Sequence, residues 1–474
     1  MEENMQMEKP QAGILITVAG FSCLVVTLLQ SIVVPAIPNL PGILGTSGTA
    51  VSWAVTATLL AGAVATPIVG RIADMYSRKA IMLVVIAAVF AGSIIAPIGN
   101  VTTLIIGRTL QGFGSALIPV AMAEMRYSLP HEKVSSALAI LSATLGIGGS
   151  VGIPLGGVLF NSLGWQSMFW IAACLSVISF VAVWVFIPSS SGINGRFDYG
   201  GAVWLALGLS AFLTALSQGE AWGWGSLLTV GLFVLAVIFF VVWVRWEVCQ
   251  EFPLVNLRTT VYRPVLLTNL ASILLGILMF SNLLLTTLEL QNPISEGGHG
   301  WSAAAAGLVM LPSAAAMLLV APVSARLAQS FGPRVVITVG SVITALGYLC
   351  RLVVGFNGVW VLVWATLISI GVGIGYAGLP MMLVVHVRVA EIGSANAVNA
   401  LMRSIGMSIS SALVSAVTAA LMAENSPSEG ALNLLAVIGI VLGVAAVILS
   451  AAARTPRNDS RNDSRNNNTA HTNS

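Results

Sequence analysis

Charge is the first thing this sequence lacks: only 8% of its 474 residues are charged, against about 25% in soluble globular domains. Too few polar side chains remain to cover a water-facing surface of that length. With 57% apolar residues the chain is also far from the composition of disordered segments. A net charge of +3 is not the clustered basic surface that a nucleic-acid binder needs. Lysine is scarcer still. The three lysines are followed by Pro10, Ala80 and Val134, so no G-x-x-x-x-G-K-[ST] phosphate loop exists and nucleotide-driven pumping is excluded. The four cysteines, Cys23, Cys174, Cys249 and Cys350, are far apart in apolar surroundings, which suggests packing residues rather than a metal site or disulfide framework. His131 and Glu132 lack a second histidine four residues on, so a zinc hydrolase is not indicated and no cofactor is expected.

Long apolar runs are what the sequence has instead. Runs broken by charge or by Gly/Pro clusters predict fourteen membrane helices, over 12–34, 50–70, 80–98, 101–122, 134–158, 167–187, 199–217, 226–245, 264–288, 302–325, 335–355, 359–384, 395–422 and 431–452. Helices are expected because lipid cannot satisfy exposed backbone groups, and no run alternates as a barrel strand does. The first run is too long for a signal-peptide core and lacks a clear cleavage site, so it reads as a retained helix. Seventeen of the twenty Lys and Arg fall in the N-terminal segment, every second loop and the tail. The opposite loops hold only acids (Glu220, Glu296, Glu424 and Glu429, with Glu289 at the boundary), which predicts both termini in the cytoplasm. Arg108, Arg351 and Arg403 fall inside spans. The Asn-rich end reads as a disordered tail.

The chain also repeats itself. PIVGRIADMYSRK at 67–79 aligns with PVSARLAQSFGPR at 322–334. Gly112, Gly114 and Pro119 align with Gly373, Gly375 and Pro380, and Ser136, Ile147 and Gly148 with Ser394, Ile405 and Gly406. Three matches in order at nearly constant offset pair spans 2, 4 and 5 with spans 10, 12 and 13. Parallel repeats of this kind are a transporter architecture. The expected organisation is an N-terminal segment 1–11, a six-helix bundle 12–187, a linker 188–263 with two inserted spans, a second six-helix bundle 264–452 and a tail 453–474.

On these motifs the chain resembles the major facilitator superfamily, specifically its fourteen-helix drug:proton antiporter branch. GRIADMYSRK at 70–79 is similar to the family's loop after helix 2, with Gly70, Asp74, Arg78 and Lys79 in place and Met75 and Ser77 departing. LIIGRTLQGFGSA at 104–116 is similar to its helix 4 motif, with Arg108, Gln111, Gly112 and Gly114 present. GGSVGIPLGG at 148–157 is similar to the helix 5 antiporter motif, with its proline one position late at Pro154. The resemblance implies a proton-coupled exporter of small amphipathic molecules working by alternating access in a bacterial inner membrane. Its partners would be the bilayer, substrate and protons, with no nucleic acid and no obligate protein partner. A solute-uptake symporter and a non-transporting membrane sensor on the same scaffold are the alternatives.

Candidate residues follow. Gly148, Gly152 and Gly156 form a stripe for close helix approach, and together with Pro154 and Gly157 suggest either a hinge or seal between the halves or ordinary tight packing. Arg108, with Gln111 on the same face, is implied by the resemblance to tune proton transfer; the alternative is snorkelling to the surface. Asn396, Asn399, Arg403, Gly406 and Ser410 make one polar face, for a substrate cavity or an interhelical seam. Asn282, Thr286 and Glu289 make a shorter one, with Glu289, close to the outer interface, either a titrating carboxylate or a solvated helix end. The branch's helix 1 acid aligns with Leu29, its following threonine with Ser31, and Gln30 between them cannot titrate. The carboxylates left for proton exchange are Glu289, Glu124 and Asp74. Asp74 is also expected to latch a facing helix end together with Arg78, and with Arg108 and Arg403 in the membrane the substrate need not be a cation.

Overall fold

A computed structural model describes residues 9–37, 39–189, 196–291, 299–301, 303–355, 358–388, 391–422 and 429–453. The expected tail and the acids Glu296 and Glu424 lie outside the described residues. Fourteen helices among those described are long and apolar enough to cross a bilayer. Six lead: α1 (Ala12–Ala36), α2 (Trp53–Met75), α3 (Arg78–Ile98), α4 (Val101–Ser128), α5 (Glu132–Leu163) and α6 (Gln166–Phe186). Two follow, α7 (Tyr199–Gly219) and α8 (Leu227–Cys249). The last six are α9 (Arg263–Gln291), α10 (Met310–Phe331), α11 (Pro333–Val354), α12 (Val359–His386), α13 (Ile392–Thr418) and α14 (Gly430–Ala452).

Several helix starts carry a side chain that accepts an otherwise orphaned backbone N–H. Ser47, Ser77, Asp198 and Ser226 do this singly, and Asn100 and Thr103 form a reciprocal capping box. Charge-bounded runs underestimate length: the helix of α4 reaches Ser128 and that of α8 reaches Cys249. A helix continues past the apolar run, and the acids in these extensions, Glu124 and Glu247, are buried against neighbouring segments. Breaks fall where the sequence did not suggest them. A 3₁₀ turn at Phe113–Ala116 interrupts α4, and α10 is interrupted at Val320, while helix α5 continues through Pro154.

The first six helices pack among themselves, as do the last six. The two sets meet where α5 lies against α10 and α12, and where α2 lies against α13. Matched glycines meet matched helices. A Cβ on Gly148 of α5 would strike Thr27 of α1, and one on Gly406 of α13 would strike Ile273 of α9. α7 covers the α2–α13 seam, tied to α2 by Thr56–Ser217 (2.7 Å) and Gln218–Thr56 (3.2 Å). α8 packs almost entirely on α7 and exposes the rest of its apolar surface.

Candidate functional site

Each half is stitched by hydroxyls. On α1, Thr27 donates to the carbonyl of Thr144 and Ser31 to that of Gly148, both at 2.8 Å, one helical turn apart on each helix. Gly148, Gly152 and Gly156 allow this approach, since added methyl groups would meet Thr27, Ser31 and the Ile32 carbonyl. The stripe therefore faces α1 within its own half, which corrects its reading as a seal between the halves. A Cβ on Gly157 meets nothing within 4 Å, so Gly157 is not part of it. Ser31 is committed to this packing and does not line the cavity between the halves. On α5, Gly146 does face the other half, pressed on Met317 of α10. It was overlooked because it lies outside the motif.

Arg108 is buried and does not snorkel. Its Nη1 donates to the Leu29 carbonyl and to Gln111 Oε1, both at 3.0 Å, and its Nη2 donates to the Gln30 carbonyl at 3.4 Å. Gln111 in turn donates to Ser93 (2.9 Å), and Gln30 to Ser115 (2.8 Å). The guanidinium thus satisfies backbone carbonyls of α1. Among the described residues no carboxylate pairs with Arg108.

The polar face of α13 turns to α9. Asn399 donates to Asn269 (3.0 Å) and accepts from Arg403 (3.2 Å), while its carbonyl accepts from Ser272 (3.1 Å). Arg403 lies over the Tyr376 ring at 5.2 Å. Ser410 meets Ser281 at 2.7 Å. Asn399 and Ser410 thus hydrogen-bond across the seam between α9 and α13. Asn396 is buried with its Nδ2 unpartnered.

On α9, Glu289 is neither a solvated end nor a cavity wall. It is buried and ion-paired with Arg351 of α11, whose Nε donates to it at 2.8 Å. Arg351 also donates to the Leu432 carbonyl of α14 (2.6 Å) and lies 5.5 Å from the Trp364 ring. The sequence places Arg351 in a span but offers no means of joining it to an acid 62 residues away.

At the arginine-rich end the two sets of helices touch. Asp74 accepts from the backbone N–H groups of Gly393 (3.1 Å) and Ser394 (2.8 Å), the first turn of α13, where unpaired donors and the helix dipole favour an anion. Gly70 admits Ala397, Arg78 lies 4.9 Å over the Tyr127 ring, and Lys79 is half-buried beside it at the start of α3. On the opposite seam Gln329 of α10 donates to the Glu132 carbonyl of α5 (3.3 Å). The α8–α9 linker joins in, with Asn256 and Thr259 donating to Glu391 at 3.2 and 3.1 Å. Glu124, also at this end, is fully buried, with one oxygen taking a hydrogen bond from Ser128. A feature missed in the sequence joins α7 to α8. Asp198 accepts from Trp246 (3.0 Å), and Glu247 accepts from the Val255 N–H, the two carboxylates closing on Gly201.

Away from that end, α5, α9, α10 and α12 enclose a cavity lined in part by Asn282, Thr286, Met310 and Met317. Asn282 and Thr286 are therefore brought together on its wall, whereas Arg403 and Asn399 are not. No cluster suited to a metal ion occurs among the described residues.

Two bundles with matched internal contacts, two inserted helices and one sealed end are the build of a polytopic transporter. The chain belongs to the Major Facilitator Superfamily, whose family profile matches residues 19–411 and 274–471. It is 29% identical over 326 residues to the tetracenomycin C resistance and export protein of Streptomyces glaucescens, covering 68% of this chain and 60% of that protein. It is 26% identical over 417 residues to the multidrug resistance protein Stp of Mycobacterium tuberculosis, covering 85% and 75%. It is 26% identical over 343 residues to the lincomycin resistance protein LmrB of Listeria monocytogenes, covering 71% and 72%. The fold matches the human organic anion transporter MFSD10 with a TM-score of 0.67 at 13% identity, covering 94% of this chain and all of the other.

Proposed function

We propose that the protein is a secondary active exporter that moves small amphipathic molecules out of a bacterial cell in exchange for protons, by alternating access. The observation that carries this reading is asymmetry across the membrane. Both seams between the halves are bonded at the basic end, and the cavity lies in the other half of the bilayer. The distribution of Lys and Arg puts the basic end in the cytoplasm, so the described state is the one closed toward the cell interior. The names of these bacterial relatives, which concern resistance and export, agree with this direction. With no phosphate loop the energy comes from an ion gradient. One proton crossing 100 mV supplies about 2.3 kcal/mol, enough for roughly a fiftyfold substrate gradient. The carboxylate we assign to coupling is Glu289, less than one turn from Thr286 on the cavity wall. Protonation there would discharge its pair with Arg351. Acidifying the interior of everted vesicles should drive substrate accumulation; flux indifferent to the imposed gradient removes proton antiport.

In this reading Asp74 holds the cytoplasmic seal shut. Asp74→Asn exchanges a charge-assisted acceptor pair for an amide whose NH₂ faces the α13 N–H groups. Losing such bonds is worth about 1.5–3 kcal/mol, roughly a tenfold to hundredfold shift toward the opened end. In a cysteine-free background, Ala397→Cys should be labelled by an impermeant maleimide in everted vesicles at least ~10-fold faster when Asp74 is changed to Asn. Equal labelling rates would deny Asp74 that role.

A further inference from the structure

The cavity between α5, α9, α10 and α12 is partly open, and its empty space of about 450 Å³ includes open solvent. Among the described residues no charged side chain lines it. Its apolar wall includes Met279, Met310 and Met317, whose unbranched thioethers adapt to varied shapes. Polar atoms are few, and most are already committed. Thr286 donates to the Asn282 carbonyl of its own helix (2.7 Å), and Ser313 pairs with Thr366 (3.2 Å).

Asn282 is different. Its Nδ2 donates to the Ala365 carbonyl and to Ser369 Oγ, each at 3.2 Å. Those two acceptors settle which way the amide points, since turning it over would set Oδ1 against the Ala365 carbonyl. Oδ1 is then left buried with no partner, on a side chain only 7% exposed. A buried acceptor without a donor is costly, and here it stands on the wall of a cavity. The nearby charge, Glu289, is not part of the wall and is paired through one oxygen with Arg351.

We infer that this cavity binds an uncharged amphipathic molecule that carries a hydroxyl or amide N–H, which donates to Asn282 Oδ1 while its apolar body lies on the methionines. Ions of either sign are disfavoured, because a charge buried there finds no counter-charge and loses its hydration. This rests on the export reading only in taking the cavity's ligand for the cargo.

The test uses four pyrene probes of one shape: 1-pyrenemethanol, its methyl ether, 1-pyrenemethylammonium and 1-pyrenecarboxylate. Binding is read as tryptophan-to-pyrene energy transfer to the full chain in nanodiscs, with empty nanodiscs as the blank. The alcohol should bind about fivefold more tightly than the ether, the worth of one hydrogen bond, and more tightly than either ion. Asn282→Leu should bring the alcohol to the affinity of the ether and leave the ether unchanged, and Asn282→Asp should favour the ammonium. Wild-type protein that binds alcohol and ether equally, prefers an ion or binds no probe overturns the inference, whether or not the variants fold. Flux into proteoliposomes separates the two readings. Selective binding without proton-driven accumulation defeats export and leaves the site standing, whereas accumulation without discrimination between alcohol and ether defeats the site alone.

Discussion

Replacing Arg351 by methionine should destabilise the protein by about 3–5 kcal/mol, because it leaves the Glu289 carboxylate buried and unpaired. Glu289→Gln alone should be milder. Gln keeps a carbonyl oxygen for Arg351, and a buried guanidinium still has the Leu432 carbonyl and the Trp364 face. The double variant should recover most of the single Arg351 loss, since it removes both charges and leaves similar volume. Unfolding of detergent-purified protein, followed by tryptophan fluorescence, measures all three. A single Arg351 variant within about 1 kcal/mol of the parent would mean that the pair is screened and contributes little. The same Gln variant tests coupling. A side chain that cannot release a proton should abolish accumulation against a gradient and preserve downhill exchange. Undiminished uphill transport would move coupling to Glu124 or Asp74.

The pair also marks where sequence reasoning reaches its limit. Span number and the repeat were legible because they depend on local composition and on spacing along the chain, which a membrane constrains tightly. Arg108 with Gln111 was legible for a similar reason, since three residues apart on a helix is one face. Glu289 with Arg351, Asp198 with Glu247, and Asp74 with Gly393 are joined only by tertiary packing. For Glu289 and Arg351 the sequence exposed ionisable groups in apolar spans, which is grounds to expect partners but not to choose them, whereas for Asp74 it offered a facing helix end but not which one. The polar face of α13 illustrates the same point. Its periodicity identified a surface that avoids lipid, yet not that Asn269, Ser272 and Tyr376 would be what it meets.

The glycine stripe yields the other large effect, and it appears between adjacent residues. A methyl group on Gly156 would fall on the Ile32 carbonyl, a backbone atom that cannot swing aside as a side-chain end can. Gly156→Ala should therefore force α1 and α5 apart, stretching the Ser31–Gly148 bond and uncovering the small-residue contact on which both helices depend. Overpacking of this kind costs about 1–3 kcal/mol, and more when backbone must move. Gly157→Ala introduces the same methyl group where nothing lies within 4 Å, and alanine favours a helix over glycine by roughly 1 kcal/mol. The first variant should lower the unfolding midpoint and the yield of monodisperse protein, and the second should leave them equal or raised. If the two variants behave alike, the α1–α5 approach is looser than the described packing, and the shared carbonyl and hydroxyl contacts cannot be what fixes the distance between these helices.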